Sequence, residues 1–188
     1  MKTDRQLSFT ATFGTETTLL NFLDIALGKR AIVNSGLASG GFFTGKRQSR
    51  DDSHLIGFRP DVPVDAKPRL QLYFRHTQRH YRLYVRTAGD YYGKCLSMSD
   101  NGLLGAFPSD DSNIFALRDE RGNMLTLDTI KSESLSIYLQ PKESGLLHQH
   151  KEHDSTYLYV ADKGGSPLAF NLHILERNAP YVSSPDEV

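Results

Sequence analysis

The chain has 188 residues, enough for one domain with a full core or for one domain plus an arm. Its 22 Lys+Arg balance its 22 Asp+Glu, and a formal net charge of zero argues against a polyanion partner found through bulk electrostatics. The single cysteine, Cys95, excludes an intrachain disulfide, and no apolar run approaches the ~20 residues of a membrane span.

The N-terminus MKTDRQLSFTATFGTE lacks the apolar centre of a signal peptide. The expectation is a soluble chain, cytoplasmic or released without a classical export signal. RQLSFTATF (5–13) alternates Leu7, Phe9, Ala11 and Phe13 in the period of a strand. TETTLLNFLDIALGK (15–29) puts Leu19, Leu20, Phe22, Leu23 and Ala26 on one helical face. A threonine can cap its start and Gly28 suits its end. Residues 1–30 are therefore expected to be a strand-plus-helix extension packed on the domain. Residues 34–54, rich in Gly, Ser and charge, read as loops with GGFF as a short strand.

From residue 54 the chain is short strands separated by turns. HLIGF, RLQLYF, YRLYVR, KCLSM, LLGAF, IFALR, MLTLD, LSIYLQ, LLHQH, TYLYV and LAFNLHI follow in order. AGD, SDNG, PSDDS, DERGN, PKESG and DKGGSP supply turn signals between them. Cys95 falls in such a strand and reads as a buried inert thiol.

Apolar pairs recur along the chain. Leu72 and Phe74, Phe115 and Leu117, then Leu158 and Val160 stand at successive steps of 43. NGLLGAFPSDDSNIFALRD (101–119) aligns without a gap on SGLLHQHKEHDSTYLYVAD (144–162). Three units of four strands are expected over residues 31–176, with a tail at 177–188. The run GKCLSMSDNGLLGAFPSDDSNIFALRD is similar to the β-trefoil pattern of ricin-type lectins, fascin-like domains and interleukin-1-like cytokines. That resemblance implies an all-β fold in which each unit gives two strands to a six-stranded barrel and two to a hairpin cap. A β-sandwich or jelly roll is the alternative. LAFNLHI can also close the barrel against QLSFTATF, so the phase of the units stays open.

Several residues are candidates for chemistry. Asp90, Tyr91 and Tyr92 form an aromatic turn which, with Asp100 and Asn101, has the composition of a sugar site, because a pyranose has apolar faces and polar edges. The run from Gly145 to Gly164 resembles the first cupin motif, with His148, His150 and Asp154 as its cation ligands. Alternate strand residues share a face, so the two histidines suit one metal. Asp154 stands where that motif has Glu, and the second cupin motif is missing. The bland reading makes these histidines, with His153, a solvated hairpin. Asp111-Ser112 and Asp154-Ser155 read as structural turns, or else as binders of sugar hydroxyls. Arg75, His76, Arg79, His80, Arg82 and Arg86 form one basic stretch with interleaved tyrosines, read as the solvated face of a hairpin. No nucleophile elbow, P-loop or dinucleotide fingerprint is present.

The function expected is non-enzymatic binding on loops carried by a rigid scaffold. The trefoil resemblance implies a lectin-like or toxin-associated module with a glycan ligand. The alternatives are a protein-binding trefoil, either a cytoskeletal binder or a protease inhibitor presenting DVPVDAKP (61–68), and a cupin-like metal enzyme. No cofactor and no nucleic-acid partner is expected.

Overall fold

The computed structural model describes residues 2–35, 48–108 and 113–180. The GGFF strand, the Asp111-Ser112 pair and most of the expected tail lie outside the described residues.

The chain begins with one helical turn, α1 (Asp4–Leu7), closed by a capping box between Thr3 and Gln6. Strand β1 (Phe9–Gly14) follows and buries Phe9, Ala11 and Phe13. The next stretch departs from the helix expected over 15–29. Leu19–Phe22 is a strand, β2, and only α2 (Leu23–Leu27) is helical. All four residues of β2 are buried, and a short run buried on every side has no period that separates strand from helix. Gly28 ends α2 in the left-handed conformation (φ +69°), as its position predicts, but Phe22 rather than a threonine stands at the start. Strands β3 (Ile32–Ser35) and β4 (Gln48–Asp51) then pair with each other.

The strand-like runs after residue 54 are all strands. They are β5 (Ile56–Arg59), β6 (Leu70–Thr77), β7 (His80–Val85), β8 (Cys95–Met98), β9 (Leu104–Phe107), β10 (Phe115–Arg118), β11 (Met124–Leu125), β12 (Ser134–Pro141), β13 (His148–Lys151), β14 (Leu158–Ala161) and β15 (Ala169–Arg177). The fold is all-β. No helix among the described residues is long and apolar enough to cross a membrane.

Six strands close a barrel. β1, β6, β7, β10, β12 and β15 pair antiparallel in that order, and β15 returns to β1. Closure removes the exposed edges that an open sheet would carry, and sets the sandwich alternative aside. Inside, Phe9 stacks on Phe74 with ring centroids 4.5 Å apart, and Phe13 stacks on Phe170 at 4.6 Å. Three hairpins cover one end: β2 with β5, β8 with β9, and β13 with β14. They meet one another through Leu158–Phe58, Leu55–Gly105 and Leu103–Ala161. A second core of Leu23, Ala31, Leu55, Leu103, Tyr159 and Ala161 fills the junction.

Three further expectations need correction. Residues 1–30 are not an extension, because β1 is a barrel stave paired on both sides and β2 is a hairpin strand. The C-terminal boundary shifts too: Arg177 ends β15, and buried Ala179 donates its N–H to the Ser8 carbonyl at 3.1 Å. The 43-residue step is also out of phase. Leu72 and Phe115 lie on barrel strands β6 and β10, but Leu158 lies on hairpin strand β14. GLLGAF forms the second arm of one hairpin and GLLHQH the first arm of the next. Barrel and hairpin strands turn the same alternating apolar pattern toward one core, so the pattern does not identify which strand is which.

Candidate functional site

The histidine run lies on β13. His148 and His150 are half-buried on one face, opposite Ala161 and Tyr159. The face is shared as expected, but the third ligand is not there. Asp154 Oδ2 is turned to Arg50 Nη1, 3.8 Å away, while His150 Nε2 sits 3.3 Å from Glu152 Oε1, an oxygen shared with Lys163 Nζ. Gly164, at φ +110°, brings its backbone against the His150 ring, where a Cβ would lie 2.9 Å from Nδ1. Among the described residues no group of three His, Cys, Asp or Glu side chains is placed to hold a metal. Ser155 serves its turn: it is buried, and its hydroxyl accepts the Tyr157 N–H at 3.1 Å.

The aromatic turn does not gather the residues expected of it. Tyr91 is buried with its ring on Phe22, centroids 4.3 Å apart, and its hydroxyl donates to Asp24 Oδ2 at 2.7 Å. Burial and the Asp24 carboxylate push its phenol pKa up. Tyr91 thus holds α2 onto the hairpin layer and has no free face for a ligand. Tyr92 is 45% exposed and accepts a hydrogen bond from Arg86 Nη1. Asp90 lies in the turn before β8, whereas Asp100 and Asn101 lie in the turn after it. The length of β8 separates the two halves of the expected site.

The basic stretch forms the β6–β7 hairpin. His76 is buried, with Nδ1 2.7 Å from Asp4 Oδ1, and Arg86 lies over the Tyr73 ring at 5.2 Å. Cys95 is fully buried.

A cleft of about 440 Å³ opens elsewhere, between the turn after β10, the loop from Thr126 to Ser132 and the outer face of β12. Ile137 and Leu139 point into the barrel, so Tyr138 and Ser136 point out into the cleft. Leu125 and Leu135 give it apolar patches, Ser132 and Ser136 hydroxyls, and Glu120 and Lys131 charge.

Its walls are held by long-range and local hydrogen bonds. Tyr81, inside the barrel, accepts the Leu127 N–H on its hydroxyl at 2.9 Å. Arg177 donates to the carbonyls of Ile130 at 3.0 Å, Ser132 at 3.1 Å and Leu127 at 3.4 Å. Thr129 closes the loop on Thr126, donating to its carbonyl at 2.8 Å and accepting its N–H at 3.1 Å. The opposite wall is built on Asp119. Its carboxylate accepts from the Asn123 side chain and from the Asn123 and Arg121 N–H groups, which hold its pKa below the ordinary carboxylate value. Arg118 braces the same turn by donating to Gln140 Oε1 at 2.9 Å and to the Gly122 carbonyl at 3.0 Å.

None of these residues was a sequence candidate. The alternation in LSIYLQ does carry a signal, since an aromatic facing outward between two core residues needs a reason. The loop opposite it, and Arg177, 45 to 50 positions from the loop carbonyls it holds, carry none. Compared with known proteins, the chain matches no family model, no curated protein and no solved structure.

Proposed function

We propose that this chain is a β-trefoil binding module that takes a carbohydrate in the Tyr138 cleft. The trefoil reading is supported by the strand order, in which each of three successive segments gives two staves to the barrel and one hairpin to its end. The carbohydrate reading rests on one observation. An outward tyrosine with flanking leucines faces serine hydroxyls and charged groups, in an open cleft whose loop is anchored at both ends. An aromatic face takes the apolar C–H face of a pyranose, and the hydroxyls and charges take its polar rim. Anchoring the loop beforehand lowers the ordering cost of binding. The role is recognition rather than catalysis.

A glycan array followed by calorimetry tests this. The folded protein is expected to bind a defined glycan, Tyr138→Ala to weaken binding about tenfold or more, and Tyr138→Phe to keep it. A folded protein that binds no glycan, or one whose binding ignores Tyr138→Ala, overturns the reading. Protein binding through the exposed 61–68 loop then becomes the one to pursue.

A further inference from the structure

A second depression, of about 300 Å³, adjoins the Tyr138 cleft and shares Leu135 with it. Arg69, Ser134, Asn171 and His173 supply its polar lining, and no carboxylate lines it among the described residues. The two depressions lie along one outward-facing ladder, in which Ser134 pairs with His173, Ser136 with Asn171, and Tyr138 with Ala169. Four residues of strand separate Tyr138 from Ser134, roughly 13 Å. A short oligosaccharide spans that length.

The chemistry changes along the ladder. At the Tyr138 end it is aromatic, hydroxylic and of mixed charge. At the far end the ionisable groups are Arg69 and His173. Arg69 is exposed and has no ion pair among the described residues. It immediately precedes Leu70, the partner of Phe13, and the next residue of β1, Gly14, pairs with Asn171. Gly14 has no side chain, and nothing lies within 4 Å of where a Cβ would be, so the path from Arg69 across β1 stays open. His173 is oriented by the Ser134 hydroxyl, 2.8 Å from Nδ1.

We propose that this depression is a subsite for the carboxylate of an acidic sugar, with Arg69 as its cation and Asn171, Ser134 and His173 as flanking hydrogen-bond partners. The inference rests on the Tyr138 cleft as the sugar site and adds the class of sugar, an oligosaccharide carrying a uronate. A guanidinium fits a carboxylate through paired N–H groups, which gives orientation as well as affinity.

Calorimetry with a short oligogalacturonate and its neutral methyl ester is the test, on the wild type, Arg69→Gln and Tyr138→Ala. The wild type is expected to bind the acid about tenfold more tightly than the ester. Arg69→Gln should abolish that preference, whereas Tyr138→Ala should weaken binding of both. Equal affinities in the wild type, or a preference that survives Arg69→Gln, overturn the subsite while the Tyr138 reading stands. If neither oligomer binds, the uronate assignment fails, the Tyr138 reading is decided by the glycan array, and inorganic sulfate then probes the depression by itself. Amide shifts at Asn171 and His173 that Arg69→Gln removes support the anion site, and their absence overturns it.

Discussion

Tyr159 shows how a single side chain joins distant parts of the fold. It is fully buried, donates its hydroxyl hydrogen to Asp52 Oδ2 at 2.5 Å, and so accepts from the Ser155 hydroxyl at 2.6 Å. Asp52 is itself buried, and Arg50 meets it through two nitrogens at 2.7 and 3.0 Å. Such a carboxylate is tolerated in the interior because its oxygens are bonded to a cation and a phenol. Removing the hydroxyl with Tyr159→Phe leaves Asp52 and Ser155 each short of a partner. The expected cost is about 1–3 kcal/mol in urea unfolding at neutral pH. Burial and Asp52 also raise the Tyr159 pKa above its ordinary 10.0. The folded state therefore favours the protonated phenol. Its contribution is complete below pH 10 and is lost as pH rises from there through the folded value. Tyr159→Phe should accordingly lose less stability than the wild type between neutral pH and about pH 11, and equal losses would refute the assignment. Ser155 was readable as a turn residue from its place in the chain. Asp52 was not, because its phenol partner lies 107 positions away.

Among the elements, the hairpin layer depends on close backbone approach. Gly57 pairs with Tyr159 across β5 and β14, and a Cβ there would lie 2.5 Å from the Leu158 carbonyl oxygen and 2.4 Å from Leu23 Cδ2. The obstruction is partly backbone, so it is not relieved by a rotamer change alone. Gly57→Ala is expected to cost about 1–3 kcal/mol in chemical denaturation. Gly165→Ala, where nothing lies within 4 Å, serves as the control. Equal stability of the two variants would show that the β5–β14 contact is slack. Strand positions after residue 54 were legible at this scale because alternation marks them, whereas β4 lies in a stretch that reads as loops. The identity of β2 was not, since four buried residues in a row fit either a strand or a helix face.

For the molecule as a whole, closure of the barrel through β1 is the decisive contact. Phe9, Ala11 and Phe13 are completely buried between β6 and β15. Deleting residues 2–14 removes a stave, opens two strand edges and exposes the Phe74 and Phe170 faces that these rings cover. The truncated chain is expected to lose near-ultraviolet circular dichroism and cooperative urea unfolding. Retention of both would restore the view of residues 1–30 as an appendage.

Residue order was enough to identify an all-β chain, to place the strands after residue 54 and the turns between them, and to put Gly28 at a helix end, because each follows from interactions within a few residues. Alternation also tells which side chains face inward. It is silent on which strand lies alongside, because any strand with the same period can occupy the same place. The pairing of Phe13 with Leu172 and the meeting of Tyr138 with the loop anchored by Arg177 are contacts that local pattern does not encode. The two GLL stretches that align so well along the chain occupy different strand positions for the same reason. Local pattern chose their conformation, and only packing around a common core chose their neighbours.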